Sequence, residues 1–190
     1  MLDENKRLGG VECILEALNT HQTDPSVFEW GCRALHSMFH KVDDPSDFRE
    51  SVIHSFERDM MTVKDQNGIH IISNAMKHHI SECLAQVWAL KLLFHLQDRQ
   101  SPAATERVAK TMKEEEVAST CIKIIKARST SADLFQQAAE TLSLMLSCSN
   151  KQSANHGVME CIPSVTRFMG EHKHNVSLQV SITGLLATIA

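Results

Sequence analysis

The sequence is poor in the residues that break regular structure. Its 190 residues include only 7 glycines and 4 prolines, and there is no tyrosine. This composition is typical of neither collagen nor flexible linkers, and a hydrophobic fraction of 43% is too high for a disordered chain. The sequence also lacks the run of about 18 apolar residues that a membrane span requires, and residues 1–10 are too polar for a secretory signal. We therefore expect one soluble domain over residues 1–190, located in the cytoplasm, with the nucleus as the alternative.

Positive charge is scarce as well. The chain has 19 Lys and Arg against 23 Asp and Glu, a net charge of −4. Residues 1–66 are more acidic than the rest, with 7 basic and 13 acidic side chains. Nucleic-acid binding requires a stripe of basic side chains that neutralises phosphates, and the sequence has none. We expect no nucleic-acid partner and no membrane partner.

Motifs for catalysis and metal binding are also missing. The sequence has no glycine-rich phosphate loop, and its six cysteines include no CxxC pair and lie mostly in segments that we predict to be helical. Eleven histidines include three close pairs, but none has the third ligand that a metal site requires. The pairs are His36 with His40, His78 with His79, and His172 with His174. We therefore expect a non-enzymatic protein with free thiols, no metal and no cofactor.

What the sequence does contain is an internal repeat. Segments 29–39, 86–96, 136–146 and 179–189 align without gaps. Three of the aligned columns are spaced three and four residues apart, which places them on one face of a helix. The columns hold Glu or Gln (Glu29, Gln86, Gln136, Gln179), a mainly small residue (Cys32, Ala89, Ala139, Ile182), leucine (Leu35, Leu92, Leu142, Leu185) and a bulky apolar residue (Phe39, Leu96, Leu146, Ile189). The pattern predicts four helices that bury the same face.

A second helix is predicted before each of these. It is clearest from residue 9 and from residue 67, it begins near 156 in the fourth copy, and it is weakest in the third, near 116–127. Pro163 interrupts the fourth copy, so we expect a kink or a restart there. Longer spacing between the early copies predicts an additional helix at 46–60 and at 102–112.

Three polar residues followed by proline mark helix starts. They are Asp24-Pro25, Asp44-Pro45 and Ser101-Pro102, each with the order of an N-cap and a first-turn proline. Strand patterns are absent from the sequence. We therefore predict an all-α fold.

The segments GGVECILEAL and VFEWGCRALHSMF resemble the second and third helices of the armadillo repeat. The resemblance covers Gly9 to Ala190 and is strongest in the first, second and fourth copies. It implies a right-handed α-solenoid of about four armadillo-type repeats. The expected units span roughly 9–40, 46–97, 101–147 and 150–190.

The resemblance also implies partner binding along a concave face formed by the third helices. Many armadillo proteins carry an Asn ladder there, but the matching positions are Ser37, Phe94, Leu144 and Ala187. Without that ladder, an extended basic peptide is a poor candidate for the partner. Phe94 and Leu144 make the groove more apolar, which suits an amphipathic helix better. The expected contact residues are Arg33, Ser37, Leu90, Phe94, Glu140 and Thr183, with Trp30 as a contact pair beside Arg33. The alternative is that these side chains pack within the solenoid.

The expected function is that of a protein–protein interaction scaffold that binds a protein or peptide segment. The competing interpretation is a structural spacer or a dimerisation segment of a larger multidomain signalling protein. Residues 177–190 form an apolar stretch with no polar capping unit, which favours end-to-end self-association or flanking repeats.

Overall fold

The chain folds into α-helices joined by short turns. The computed structural model describes residues 9–40, 63, 67–98, 102–127, 131–148 and 158–189, and these ranges contain no strand. The helices are α1 (Gly10–Thr20), α2 (Pro25–His40), α3 (Gly68–His78), α4 (Cys83–Asp98), α5 (Pro102–Glu114), α6 (Val117–Lys126), α7 (Ala132–Cys148), α8 (Ile162–Glu171) and α9 (Val176–Ile189). The all-α prediction is confirmed. Within the described ranges, no helix combines the length and the apolarity that crossing a bilayer requires.

The helices form two rows. In one row, which we call the third-helix row, α2, α4, α7 and α9 pack successively against each other. In the other, which we call the second-helix row, α1, α3, α6 and α8 do the same, and each of these helices also packs against the third helix that follows it. Helix α5 lies against α3, α4, α6 and α7, where the sequence predicted an additional helix at 102–112. The predicted helix at 46–60 and the Asp44-Pro45 start lie outside the described residues.

The repeated columns form the core. The small column and the leucine column are buried in all four third helices, as predicted. A further buried column, seven residues before each leucine, holds Phe28, Ala85, Phe135 and Leu178. The bulky column is buried at Phe39 and Leu96 but only partly buried at Leu146 and Ile189. Each third helix thus presents one continuous apolar face to its neighbours.

The second-helix row repeats a simpler pattern. Buried residues recur at spacings of four and three in each of the four helices or in the turn that precedes it. They are Val11, Leu15 and Leu18; Ile69, Ser73 and Met76; Val117, Cys121 and Ile124; and Cys161, Val165 and Phe168. This spacing keeps them on one helical face, which explains why the third copy is a helix like the others.

Polar residues cap the starts of three third helices. The Asp24 carboxylate accepts hydrogen bonds from the backbone N–H groups of Ser26 and Val27, at 2.8 and 3.2 Å, as the Asp-Pro order predicted. Ser131 and Asn175 cap α7 and α9 in the same way, through the N–H groups of Leu134 and Leu178. Each cap satisfies a backbone donor that has no partner within the helix.

Pro163 marks a restart rather than a kink. Helix α8 begins at Ile162, so the proline lies in its first turn, where its missing N–H removes no helical hydrogen bond. Residues before it, Val158 and Met159, are helical and are separated from α8 by a turn. The prediction of an interruption at this residue is confirmed.

The column of Glu or Gln does not have one common role. The Gln86 amide donates to the carbonyl oxygens of Met76 and His79, at 2.7 and 2.9 Å, and the Gln179 amide makes the equivalent bonds to Met169 and His172. Both thereby tie the end of a second helix to the third helix that follows. Glu29 has no amide group and cannot donate such bonds. In addition, Glu29 and Gln136 lie four residues after the first residue of their helices, α2 and α7, whereas Gln86 and Gln179 lie three residues after the first residue of α4 and α9.

Candidate functional site

The predicted contact residues lie along the third-helix row, but they are not equally accessible. Arg33, Ser37 and Thr183 are exposed, and Phe94 and Glu140 are half-buried. Trp30 is the largest exposed side chain of the row, with 60% of its surface accessible. The row therefore presents polar and aromatic groups along α2 and continues to α9.

The prediction that Leu90 is a contact residue is wrong. Its side chain is fully buried, with 0% of its surface accessible, so it does not line a groove. Helix α4 packs against α2 on one side and α7 on the other, and it also packs against α3 and α5. Because α4 has neighbours on so many sides, more of its residues are covered. Leu90 therefore packs between the helices, as the alternative interpretation predicted. The surface is consequently less apolar than the sequence suggested.

Two tryptophans and two cations come together where α2 meets α4. The Arg33 guanidinium carbon lies 4.9 Å from the centre of the Trp30 ring and 5.2 Å from that of Trp88. The Lys91 ammonium lies 4.8 Å from the centre of the Trp88 ring. These distances are within the range of cation–π attraction. We call Trp30, Arg33, Trp88 and Lys91 the aromatic–cation array.

Trp30 and Arg33, predicted as a contact pair, lie in contact in the structure. Trp88 and Lys91 were not predicted as members of the same site. The signal was present, because each tryptophan is followed three residues later by a cation, and side chains three apart are neighbours on a helix. For Trp30 the alternative was packing within the solenoid, but its side chain is exposed, and among the described helices α2 has a third-helix neighbour on one side only.

Two histidines extend this cluster behind the array. The His36 ring packs edge-on against the Trp88 ring, with centroids 5.3 Å apart, and against the His95 ring at 4.7 Å. Phe94 in turn lies 6.2 Å from His95. The contacts connect Phe94 through the two imidazoles to Trp88.

Glu140 belongs to a polar contact between α7 and α9. Its carboxylate accepts hydrogen bonds from the Ser181 hydroxyl at 2.6 Å and from the Gln136 and Gln137 amides at 2.9 and 3.2 Å. The Gln136 amide also donates to the Ser177 hydroxyl at 2.8 Å. Glu140 therefore joins two helices, and its oxygens are already engaged within the chain.

The three buried cysteines, Cys32, Cys121 and Cys161, are poorly suited to nucleophilic chemistry. Burial raises the pKa of the Cys32 thiol, and it raises that of Cys121 to about 12. Burial also raises the pKa of Cys161, against the opposing effect of the Lys126 charge. These thiols are protonated at neutral pH, and the thiolate is the reactive form. Within the described residues, no group of three or more His, Cys, Asp or Glu side chains is arranged to hold a metal ion.

Apolar surface is exposed at both ends of the two rows. An open cavity of about 480 Å³ lies between α1 and α2, and its lining includes Ile14, Ala17 and Val27. On α9, at the other end, Val176 and Val180 have 75% and 66% of their surfaces accessible. Within the described residues, the helices that carry these two surfaces, α1, α2 and α9, have a neighbour of their own row on one side only.

Comparisons with known family models, curated proteins and solved structures give no match to this chain. The class is therefore defined by the architecture alone, as an all-α protein in which helix pairs repeat along two rows.

Proposed function

We propose that the chain is an armadillo-type α-solenoid that acts as a non-enzymatic protein–protein interaction scaffold. It binds a segment of a partner protein along the surface of the third-helix row. The observation that carries this proposal is the aromatic–cation array on α2 and α4, in which Trp30 and Arg33 are exposed and Trp88 and Lys91 are half-buried. Tryptophan and arginine are the residues most enriched at the energetic centres of protein interfaces.

The arrangement of the row supports an extended contact. Arg33 and Ser37 on α2 and Thr183 on α9 are exposed on helices of the same row. Repeat architectures convert stacked units into long surfaces of this kind. A segment that lay along the row would reach Phe94 on α4 before it met α7.

Site-specific photocrosslinking tests the proposal. A benzophenone amino acid at Ser37 or Thr183 lies on the proposed surface, and the matched controls at Glu16 of α1 and Thr166 of α8 are exposed on the second-helix row. We expect adducts with a defined partner in cells from the first two positions and not from the controls. Adducts from all four positions, or from the controls alone, would remove the proposal.

The apolar end surfaces favour a second candidate, a spacer or dimerisation segment of a larger protein. In this case Val180 packs against the cavity beside Val27 in another copy or in a flanking repeat. Sedimentation velocity over a concentration series tests self-association, with Val180→Asp as the variant and Thr166→Asp as the exposed control. If the original chain and the Val180→Asp variant are both monomeric at every concentration, self-association is excluded.

A further inference from the structure

We infer that the aromatic–cation array is a docking site for an acidic peptide segment, whose carboxylates bind Arg33 and Lys91. This inference rests on the proposed function, because it names the chemistry of the partner that the third-helix row binds. The structure offers three independent reasons for it: the charge of the array, the preorganisation of Arg33 and the exposure of Trp30.

The first reason is unpaired positive charge. Several surface cations of the described chain have an acidic partner, such as Lys77 with Glu116 and Lys126 with Glu160. Arg33 and Lys91 make no ion pair with any described carboxylate, and their only charged-group contacts are with indole rings. Even Glu29, one helical turn before Arg33, is not paired with it. An otherwise acidic chain therefore leaves two neighbouring cations available to an outside anion.

The second reason is the placement of the guanidinium. Arg33 lies over two rings at once, which restricts the rotamers of a side chain that is otherwise flexible. No hydrogen bond or ion pair within the described chain engages the Arg33 N–H groups, so they can form paired hydrogen bonds with a carboxylate. A side chain that is ordered before binding loses less entropy when the partner arrives.

The third reason is the exposed indole of Trp30, which offers apolar surface beside the two cations. A segment that carries Asp or Glu next to apolar residues matches both features. Nucleic acid fits less well, because two cations on a chain of net charge −4 release few counterions. The occupant is thus a peptide with acidic and apolar residues in alternation along one helical face or one extended stretch.

Tryptophan fluorescence tests this directly, because the chain has only two tryptophans and no tyrosine. The emission therefore comes almost entirely from the array. The protein is titrated with two synthetic peptides of equal length that share a leucine stripe, one with Glu and one with Lys at all other positions. Trp30→Phe and Trp88→Phe each leave one emitting indole and show which ring responds.

We expect the acidic peptide to change the emission and to bind at least about tenfold more tightly than the basic peptide, with an affinity that falls as salt increases. Arg33→Gln should weaken the acidic peptide about tenfold, and Arg33→Lys should recover only part of the loss because it lacks the planar fork. Circular dichroism confirms that the variants remain equally helical. Lys123→Gln, an exposed cation on α6, is the matched control and should change nothing.

The outcomes separate this inference from the function on which it rests. Equal binding of both peptides, or an acidic peptide that binds Arg33→Gln as well as the original chain, would overturn the acidic partner and leave the third-helix surface as a binding site. Absence of binding by the acidic peptide would also overturn it. If photocrosslinks at Ser37 and Thr183 are missing as well, the proposed function fails with it.

Discussion

Replacing Gly31 by alanine tests the closest approach between α1 and α2. A Cβ atom at this position would lie 2.6 Å from Leu18 Cδ2 and 2.9 Å from Leu18 Cγ, well inside the 3.5–4.0 Å or so at which carbon atoms attract. Leu18 is buried, so α1 and α2 must separate or the leucine must change its rotamer. Gly184, in α9, is the matched control, because a Cβ atom there meets nothing within 4 Å.

Both substitutions gain the same intrinsic preference of alanine for a helix, about 1 kcal/mol. Their difference therefore isolates the steric cost at Gly31, which for overpacking is roughly 1–3 kcal/mol. Leu18 borders the open cavity between α1 and α2, which offers partial relief, so we expect the lower half of that range. Gly184→Ala should be stabilised, and Gly31→Ala should be about neutral or less stable than the original chain.

Thermal and urea unfolding followed by circular dichroism give the comparison. For a chain of this size, each 1 kcal/mol changes the Tm by about 2–4 °C. Trimming Leu18 to valine should cost less in the Gly31→Ala background than in the original chain, because the two changes share one contact. Equal stabilisation of both alanine variants would refute the close approach of α1 and α2.

Two further predictions concern backbone strain and thiol chemistry. Glu116 has a left-handed φ of 59°, and its carboxylate pairs with Lys77. Glu116→Gly and Glu116→Ala both lose that pair, so Glu116→Gly should have the higher free energy of unfolding of the two by about 1 kcal/mol, whereas Glu16→Gly within α1 should be less stable than Glu16→Ala by a similar amount. Urea titration measures all four, and a Glu116→Gly variant less stable than Glu116→Ala would contradict the left-handed conformation. In native labelling with a thiol reagent, exposed Cys13 should react first. Buried Cys32 and Cys121 should react only on unfolding, because burial raises the pKa of both thiols, that of Cys121 to about 12. Mass spectrometry locates the label, and rapid native labelling of Cys121 would contradict its burial.

The repeated core was predictable from the sequence because its signal recurs. A leucine that returns four times with a small residue three positions before it marks a buried face, and Leu35 and Leu185 are both buried. Helix starts were predictable where local chemistry decides them, as at Asp24 and Pro163. A helix start depends on residues within one turn of helix, and these can be read directly from the sequence.

Accessibility along the third-helix row was less predictable. Helix α4 carries apolar residues on nearly all of its sides, so periodicity did not show which side faces outward, and Leu90 was assigned to the surface although it is buried. The exposure of Trp30 depends on what lies next to α2, which no local pattern encodes. Trp88 and Arg33 are far apart in sequence, and only the packing of α2 on α4 brings them together.

The two rows have a mechanical consequence. Each substantial helix contact of the described chain joins elements of the same helix pair, of adjacent pairs, or of α5 with the pairs beside it. A force applied between α1 and α9 therefore passes through these interfaces in series, because none of the substantial contacts among the described helices joins the two ends. Under tension, helix pairs would detach one at a time, and the length of the chain would increase in steps rather than in a single transition.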